Sequence, residues 1–174
     1  MQYQHYVDKL CYFCAKYKTM ADTLIYLELE DYLRDWLINE NGNPVVVKKN
    51  SAESDILEAF LTTPPAEPIK DLPAENKVAI RLPSFKYKDT RTHNYLPVRA
   101  RLALAHAIKV RFRVQMWEEL YTFNNVEGCI TDIIYAWMEK HGIDLTEKNW
   151  ETIRQMYFRK RKVYRTKKIE KKTK

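Results

Sequence analysis

The longest regular pattern in this 174-residue chain is residues 97–123, PVRARLALAHAIKVRFRVQMWEELYTF. Apolar residues recur there every three or four positions and predict the buried seam of a helix: Leu104, Ile108, Phe112, Met116, Leu120 and Phe123. Pro97 suits the first helical turn, where its missing N–H is not needed. The basic residues between the seam positions should form the solvent-exposed side of this helix: Arg99, Arg101, Lys109, Arg111 and Arg113.

Proline and glycine divide the rest of the chain. All seven prolines fall between Pro44 and Pro97, so both ends of the chain should be helical. Helices are predicted over residues 3–17, 19–41 and 51–61, the last with Ser51 as its N-cap. Val45–Val47 fits a short strand or an extended link. The expected core positions of the second and third helices are Ile25, Leu29, Tyr32, Leu33, Trp36, Leu37, Ile56, Leu57, Phe60 and Leu61.

The central region predicts a break and then a short β element. Residues 62–76 contain four prolines and should form an extended connector. Alternating Val78, Ile80 and Leu82 predict a half-buried strand within about residues 77–88. Two more helices are expected, over 129–141 and from just after Thr146. The fold class is therefore mainly α, with a helical packing unit (1–61), the connector, and a C-terminal region (77–174).

Charge is strongly segregated along the chain. The whole protein carries +7, whereas residues 154–174 alone hold eleven Lys or Arg and one acid, a net +10. Residues 81–113 carry +8, residues 1–80 carry −5 and residues 114–153 carry −6. Concentrated positive charge attracts polyanions, so this pattern predicts two cationic surfaces that meet nucleic acid.

The last two helices predict a helix-turn-helix-like pair with a basic extension. Trp150, Ile153, Met156 and Tyr157 should fix the last helix to helix 129–141. A helix fits the DNA major groove, and cations along it reach phosphates. The expected nucleic-acid contacts are Arg154, Arg159, Lys160, Arg161, Lys162, Arg165 and Lys168, and the candidates for reading bases are Asn149 and Gln155. The competing interpretation is a solvated helix with a solubilising tail.

A second set of expected contacts lies in the middle of the chain: Lys86, Lys88, Arg91, Arg111 and Arg113. Aromatic residues alternate with cations over residues 84–95, which suits phosphates beside bases. An edge strand protected by lysines explains the same pattern. A catalytic interpretation, with Asp89, Arg91, His93 and Tyr95 as in a nicking or recombining enzyme, has less support because no metal-binding His pair accompanies them.

Several other classes of function are disfavoured. Structural zinc needs four ligands, and Cys11-x-x-Cys14 has no second pair, so neither a metal nor a cofactor is expected. Three cysteines are compatible with a reducing cytoplasm. No apolar run approaches the roughly 18 residues that span a bilayer, and no membrane partner is predicted.

These patterns favour a non-enzymatic, cytoplasmic DNA-binding protein that contacts duplex DNA through its basic C-terminal helix. A regulator or an accessory factor of a phage or mobile element would have these properties. One alternative is a structural or adaptor subunit of a virion or nucleoprotein assembly, and a second is an RNA-binding module. Self-association as a homodimer through residues 1–61 is also predicted, since many helix-turn-helix proteins bind paired half-sites.

Overall fold

A computed structural model describes residues 23–67, 72–123 and 129–172, with side chains up to Tyr121 in the second range and Thr166 in the third. The fold is mainly helical with a small sheet, as the sequence predicts. The described ranges contain three strands, β1 (Leu24–Glu28), β2 (Val45–Val46) and β3 (Lys77–Arg81). They also contain five helices: α1 (Asp31–Asn41), α2 (Ala52–Phe60), α3 (Val98–Phe123), α4 (Ile130–Lys140) and α5 (Glu147–Lys172).

The sheet places its last strand in the middle, in the order β1-β3-β2. β1 runs antiparallel to β3 with Ile25 opposite Ile80, and β2 runs parallel to β3. The predicted helix 19–41 is therefore wrong over residues 24–28. Ile25, Leu27 and Leu29 are all buried, an alternation that suits a strand. The helix begins only at Asp31.

The second predicted β segment is shorter than expected. β3 ends at Arg81, and Leu82 still donates its N–H to the Thr23 carbonyl at 3.0 Å. Pro83 follows and has no N–H to continue the ladder. Residues 82–88 therefore lie outside the strand, and Tyr87 is 84% exposed. The interpretation of residues 84–95 as an edge strand is also wrong, because this segment forms bends and turns apart from a single bridge between Tyr95 and Thr62.

The third predicted helix is confirmed as α2. The Ser51 side chain accepts a hydrogen bond from the Ser54 N–H at 3.2 Å and caps the helix. Leu57 and Leu61 are buried as expected. Phe60, which was expected in the core, is half-exposed.

α3 is the central support of the molecule, and its predicted seam is confirmed from Leu104 to Leu120. Phe112 lies at the middle of the seam, with its ring centroid 5.1 Å from Tyr32, 5.3 Å from Trp36 and 5.7 Å from Trp137. Through these contacts Phe112 joins α3 to both α1 and α4. Aromatic rings at such separations pack favourably beyond the area that they bury.

One core includes residues from both sides of the predicted connector. β3, from the C-terminal region, pairs with both β1 and β2 of the N-terminal unit. The predicted boundary at 62–76 therefore does not divide the core. The separate roles predicted for the regions on either side of it stay predictions. The predicted helix 3–17 lies outside the described residues. None of the described helices has the length and apolarity needed to cross a membrane.

Candidate nucleic-acid interface

The link between α4 and α5 is a short, tightly bonded turn. Gly142 has φ +63° and follows the helix as the C′ residue, and Ile143 donates its N–H to the Met138 carbonyl at 3.0 Å. Thr146 then caps α5, because its hydroxyl accepts from the Asn149 N–H at 3.2 Å. This link fixes the direction in which α5 leaves α4.

The inner face of α5 holds the helix against the body. Ile153 and Tyr157 are fully buried, as the sequence predicts. Trp150 stacks on Tyr135 of α4, with ring centroids 5.6 Å apart and an interplanar angle of 11°. On the α3 side, the Trp117 ring lies 5.8 Å from Tyr157. α5 is thus attached to both neighbouring helices along its first three turns.

A second aromatic contact fixes α5 further along its length. The Tyr164 ring lies 5.8 Å from Trp117 and 5.1 Å from Tyr121, and the Tyr121 hydroxyl donates to the Tyr164 hydroxyl at 3.2 Å. Neither Trp117 nor Tyr121 was among the predicted site residues. Their spacing of four residues on α3 places them on one face, which was the available signal.

The outer side of α5 carries exposed cations. Arg159, Lys162 and Arg165 are exposed there, whereas exposed Lys160 lies on the flank that faces Trp117 and Glu118 of α3. Among residues 23–67, 72–123 and 129–166, no carboxylate lies within ion-pair distance of Lys160, Lys162 or Arg165. The Arg159 guanidinium donates to the Gln155 side chain at 3.3 Å, which leaves its charge uncompensated. The predicted contact Lys168 belongs to α5, but its side chain lies outside the described part.

Two other arginines of α5 are less free. Arg154 pairs with Glu151 at 3.0 Å and lies 5.4 Å from the ring centres of Trp150 and Phe158. Arg161 is half-buried, with its guanidinium 6.0 Å from the Tyr157 ring centre. Around the helix axis, Arg154 lies about 20° from both Arg161 and Arg165. Arg154 and Arg161 therefore lie at the edge of the exposed cationic surface.

The central cations do not join this surface. The ammonium group of Lys88 donates to the carbonyls of Glu58 and Leu61, so it completes the end of α2. Lys86 and Arg91 are exposed in the loop that leads into α3. That loop and Tyr121 lie at opposite ends of α3, about 36 Å apart. The segments 84–95 and 159–165 therefore form separate surfaces.

Some basic residues of α3 that were predicted to face solvent contact the body of the protein instead. Arg111 pairs with the buried Glu53 carboxylate at 2.9 Å and donates to the Asn41 side chain at 3.2 Å. Lys109 pairs with Glu30, and Arg101 donates to the Tyr26 carbonyl at 2.6 Å. Arg111 is thus a structural residue and not an available phosphate contact, whereas Arg113 is exposed as predicted.

The two base-reading candidates have different surroundings. Asn149 is 3% exposed, and its side-chain amide donates to the Asp144 carbonyl at 3.1 Å. It is therefore part of the α4–α5 turn and not accessible to a base. Gln155 is exposed on the outer side of α5, where it donates to Glu151 at 3.1 Å.

The structure also contains a buried polar cluster that the sequence analysis did not find. The two ring nitrogens of His141 face Glu40 at 3.0 Å and Glu119 at 2.9 Å. Burial opposes ionisation of Glu119, but hydrogen bonds from Lys140, His141 and Gln115 outweigh it and lower its pKa to about 2. These contacts join α1, α3 and α4 immediately before α5 begins. The cluster therefore lies where these three helices meet.

Two further observations limit the chemistry of the described part. Within it, no group of three or more His, Cys, Asp or Glu residues could hold a metal ion. The apolar side of α1, including the fully buried Trp36, packs on this chain's own α3. Self-association through residues 1–61 stays a prediction. Comparison with protein-family models, with curated proteins and with solved structures finds no match for this chain.

Proposed function

We propose that this protein binds nucleic acid through the outer side of α5, and that duplex DNA is the favoured ligand. The observation that carries the proposal is the set of exposed cations at 159, 162 and 165 on a helix whose inner face is fixed to the body. Cations that no carboxylate neutralises gain most from meeting phosphates, because binding releases the counterions condensed on the polyanion.

The shape of α5 favours a duplex over a flexible strand. A helix with its side chains is about 10–12 Å wide, close to the roughly 12 Å width of the major groove. Around the axis, Lys162 lies about 60° from Arg165, and Arg159 lies about 120° from Arg165. Side chains on two flanks of one helix can reach phosphates on both sides of a groove.

α4 and α5 would then act as a helix-turn-helix-like pair, with α5 as the recognition helix. The hydrogen-bonded turn between Gly142 and Thr146 sets the angle between α4 and α5. The stacking of Trp150 on Tyr135 stabilises that angle. Gln155 is the remaining candidate for contacting a base edge, since it is exposed on the same side as Arg159. The proposed role is binding, without a chemical step.

The test is a pair of triple variants with the same change of charge. Arg159→Ala/Lys162→Ala/Arg165→Ala removes three cations from α5. The control, Lys48→Ala/Lys49→Ala/Arg99→Ala, removes three exposed cations from other parts of the surface. Fluorescence anisotropy with a labelled duplex gives log affinity against log salt, and each lost phosphate contact should reduce the slope by about 0.9. The α5 variant should lose about 3 in slope and the control almost nothing. Equal losses would show that only net charge matters, and the interface on α5 would be wrong.

Single-stranded nucleic acid is a second candidate because two aromatic rings are exposed among the α5 cations. Phe158 is 36% and Tyr164 40% exposed. Unpaired bases stack on such rings, at about 1–3 kcal/mol per base. Competition among duplex DNA, single strands and structured RNA separates the candidates. If Phe158→Ala weakens binding to single strands at least about tenfold and leaves the duplex unaffected, the second candidate is favoured.

A further inference from the structure

The part of α5 that points directly away from the body is polar but not uniformly cationic. It consists of Glu151, Gln155 and Lys162, called here the outer strip of α5. Each of these residues lies about 140–180° around the helix axis from the line midway between Ile153 and Tyr157, which are both buried. An acid and an amide therefore share the centre of the proposed interface with one lysine.

Cations lie on both sides of the outer strip. Arg165 lies about 60° from Lys162 around the axis in one direction, and Arg159 lies about 60° from it in the other. Both arginines are exposed. In a helix that enters a groove, residues on the flanks are closest to the phosphates, and residues on the outermost line are closest to the base edges. The outer strip is thus the part of α5 from which base contacts can be made.

The side chain of Gln155 is held at both ends of its amide. The amide nitrogen donates to Glu151 at 3.1 Å, and the amide oxygen accepts from the Arg159 guanidinium at 3.3 Å. An ionised carboxylate can only accept and a guanidinium can only donate, so the opposite orientation of the amide would lose both bonds. The two neighbours therefore fix the orientation of the Gln155 amide.

Glu151 is the residue that makes this orientation unequal to the other. The hydrogen bond from Gln155 holds the pKa of the Glu151 carboxyl below its ordinary value, and the nearby Arg154 acts in the same direction. The Arg154 guanidinium lies 3.0 Å from that carboxyl. An ionised carboxylate repels phosphate, so Glu151 weakens contact with any duplex, whatever its sequence. Its position is therefore unfavourable for phosphate binding and favourable for orienting Gln155.

The fixed amide keeps one donor and one acceptor for a partner. A side-chain amide has two N–H groups and two lone pairs, and the contacts with Glu151 and Arg159 use one of each. Gln155 is exposed, so the remaining N–H and lone pair can reach a ligand. Adenine presents the complementary pair in the major groove, an N7 acceptor beside an N6 amino donor. Guanine presents two acceptors there, one of which would face the amide oxygen.

We propose that Gln155 reads an adenine in the major groove, and that Glu151 and Arg159 are positioning residues that act through its amide. The inference rests on the proposed function, because it needs α5 to lie in the groove of a duplex. It adds the base that α5 recognises and gives Glu151, which was not among the predicted contacts, a role in sequence preference. Affinity from phosphates and preference for a base are measured separately.

The first experiment measures whether the Gln155 amide reads a base. The full chain selects from a pool of random duplexes about 20 base pairs long, two turns of B-DNA, and the bound fraction is sequenced. The parent protein should enrich adenine at one position, and Gln155→Ala should lose that enrichment alone. Replacing this adenine by 7-deazaadenine removes the N7 acceptor and leaves base pairing intact. Fluorescence anisotropy should then show about tenfold weaker binding by the parent and no change for Gln155→Ala.

The second experiment separates the orientation of the amide from the charge of Glu151. Glu151→Gln introduces a group that can donate as well as accept, so it no longer fixes the orientation of Gln155. The preference for adenine should fall at least about fivefold, while affinity for the random pool rises because a charge that repels phosphate is removed. Glu58→Gln removes the same charge from an exposed position on α2 and should change neither quantity.

The results distinguish this inference from the proposed function. A preference for adenine that survives Gln155→Ala or Glu151→Gln overturns the inference, and so does selection without enrichment of any base. In that last case the proposed function still stands if the salt slope depends on the cations of α5. Failure of the parent protein to bind any duplex of the pool would overturn both.

Discussion

Replacing Arg111 with alanine should destabilise the fold and leave DNA affinity nearly unchanged. The Arg111 Nε atom lies 2.9 Å from Glu53 Oε1, facing it as an ion pair, although the N–H does not align as a hydrogen bond. The guanidinium also lies 4.9 Å from the Trp36 ring centre. Alanine would leave the Glu53 side chain, which is only 6% exposed, as an unpaired buried charge.

The magnitude follows from the burial of the two partners. Removing one member of a buried ion pair costs about 3–5 kcal/mol. The Arg111 side chain is 31% exposed, so water can partly reach the gap, and the lower end is expected, about 3 kcal/mol. For a protein of this size that corresponds to a fall in melting temperature of about 6–12 °C. Arg111→Met with Glu53→Gln should lose about 2 kcal/mol less than the sum of the two single changes, because no charge is left unpaired.

Urea unfolding followed by circular dichroism measures the free energy, and anisotropy below the melting temperature measures binding. Arg113→Ala is the matched control, since Arg113 lies on the same helix and its side chain is exposed. It should change stability by less than about 0.5 kcal/mol. The reasoning is refuted if Arg111→Ala keeps full stability and instead reduces the salt slope by about 0.9, as a phosphate contact would.

Three further predictions concern the support of α5. Because the pKa of Glu119 falls from 4.5 to about 2 on folding, the native state binds fewer protons, so stability should fall as the pH drops from about 4.5 to about 2. Glu119→Gln should flatten that decline in acid-unfolding curves. Gly142→Ala should cost about 1–2 kcal/mol in urea unfolding, because φ is +63° and a new Cβ would meet Asn39 at 3.1 Å. Tyr164→Ala should accelerate amide exchange in α5 after Tyr157 at least about tenfold while exchange in α4 stays constant, since Tyr164 provides the outer aromatic contact with α3.

Local sequence patterns were sufficient to predict those elements whose structure depends on a single helix. The α3 seam and the N-cap at Ser51 follow from spacing and residue type alone, and both are confirmed. Residues 24–28 show the limit of that reasoning. Ile25 and Leu29 fit a helical stripe, while Ile25, Leu27 and Leu29 fit an alternating strand equally well. The choice depends on pairing with β3, about fifty residues later, which no local pattern contains.

The candidate site was predictable in outline for the same reason. The cationic outer side of α5 could be predicted from helical spacing, because the buried residues that orient this helix lie on the same turns as the cations. Arg111 and Lys88 were assigned to the surface because their partners, Glu53 and the end of α2, are distant in sequence. Asn149 was predicted to read bases because its burial could not be recognised from the sequence. The turn that buries it depends on how α4 and α5 meet.

The ion pairs explain why the segregated charges of the sequence lead to one main cationic helix. Glu30 pairs with Lys109, Asp31 with Lys148, and Glu53 with Arg111, so acids of the N-terminal region neutralise bases that follow them. Two of the nine basic residues of 81–113, Lys109 and Arg111, are therefore paired with acids of the N-terminal region. Residues 154–174 carry +10, and Glu151 is the described acid that reaches them, through Arg154. A polyanion approaching this molecule should meet its strongest attraction at the distal part of α5, whichever nucleic acid it is.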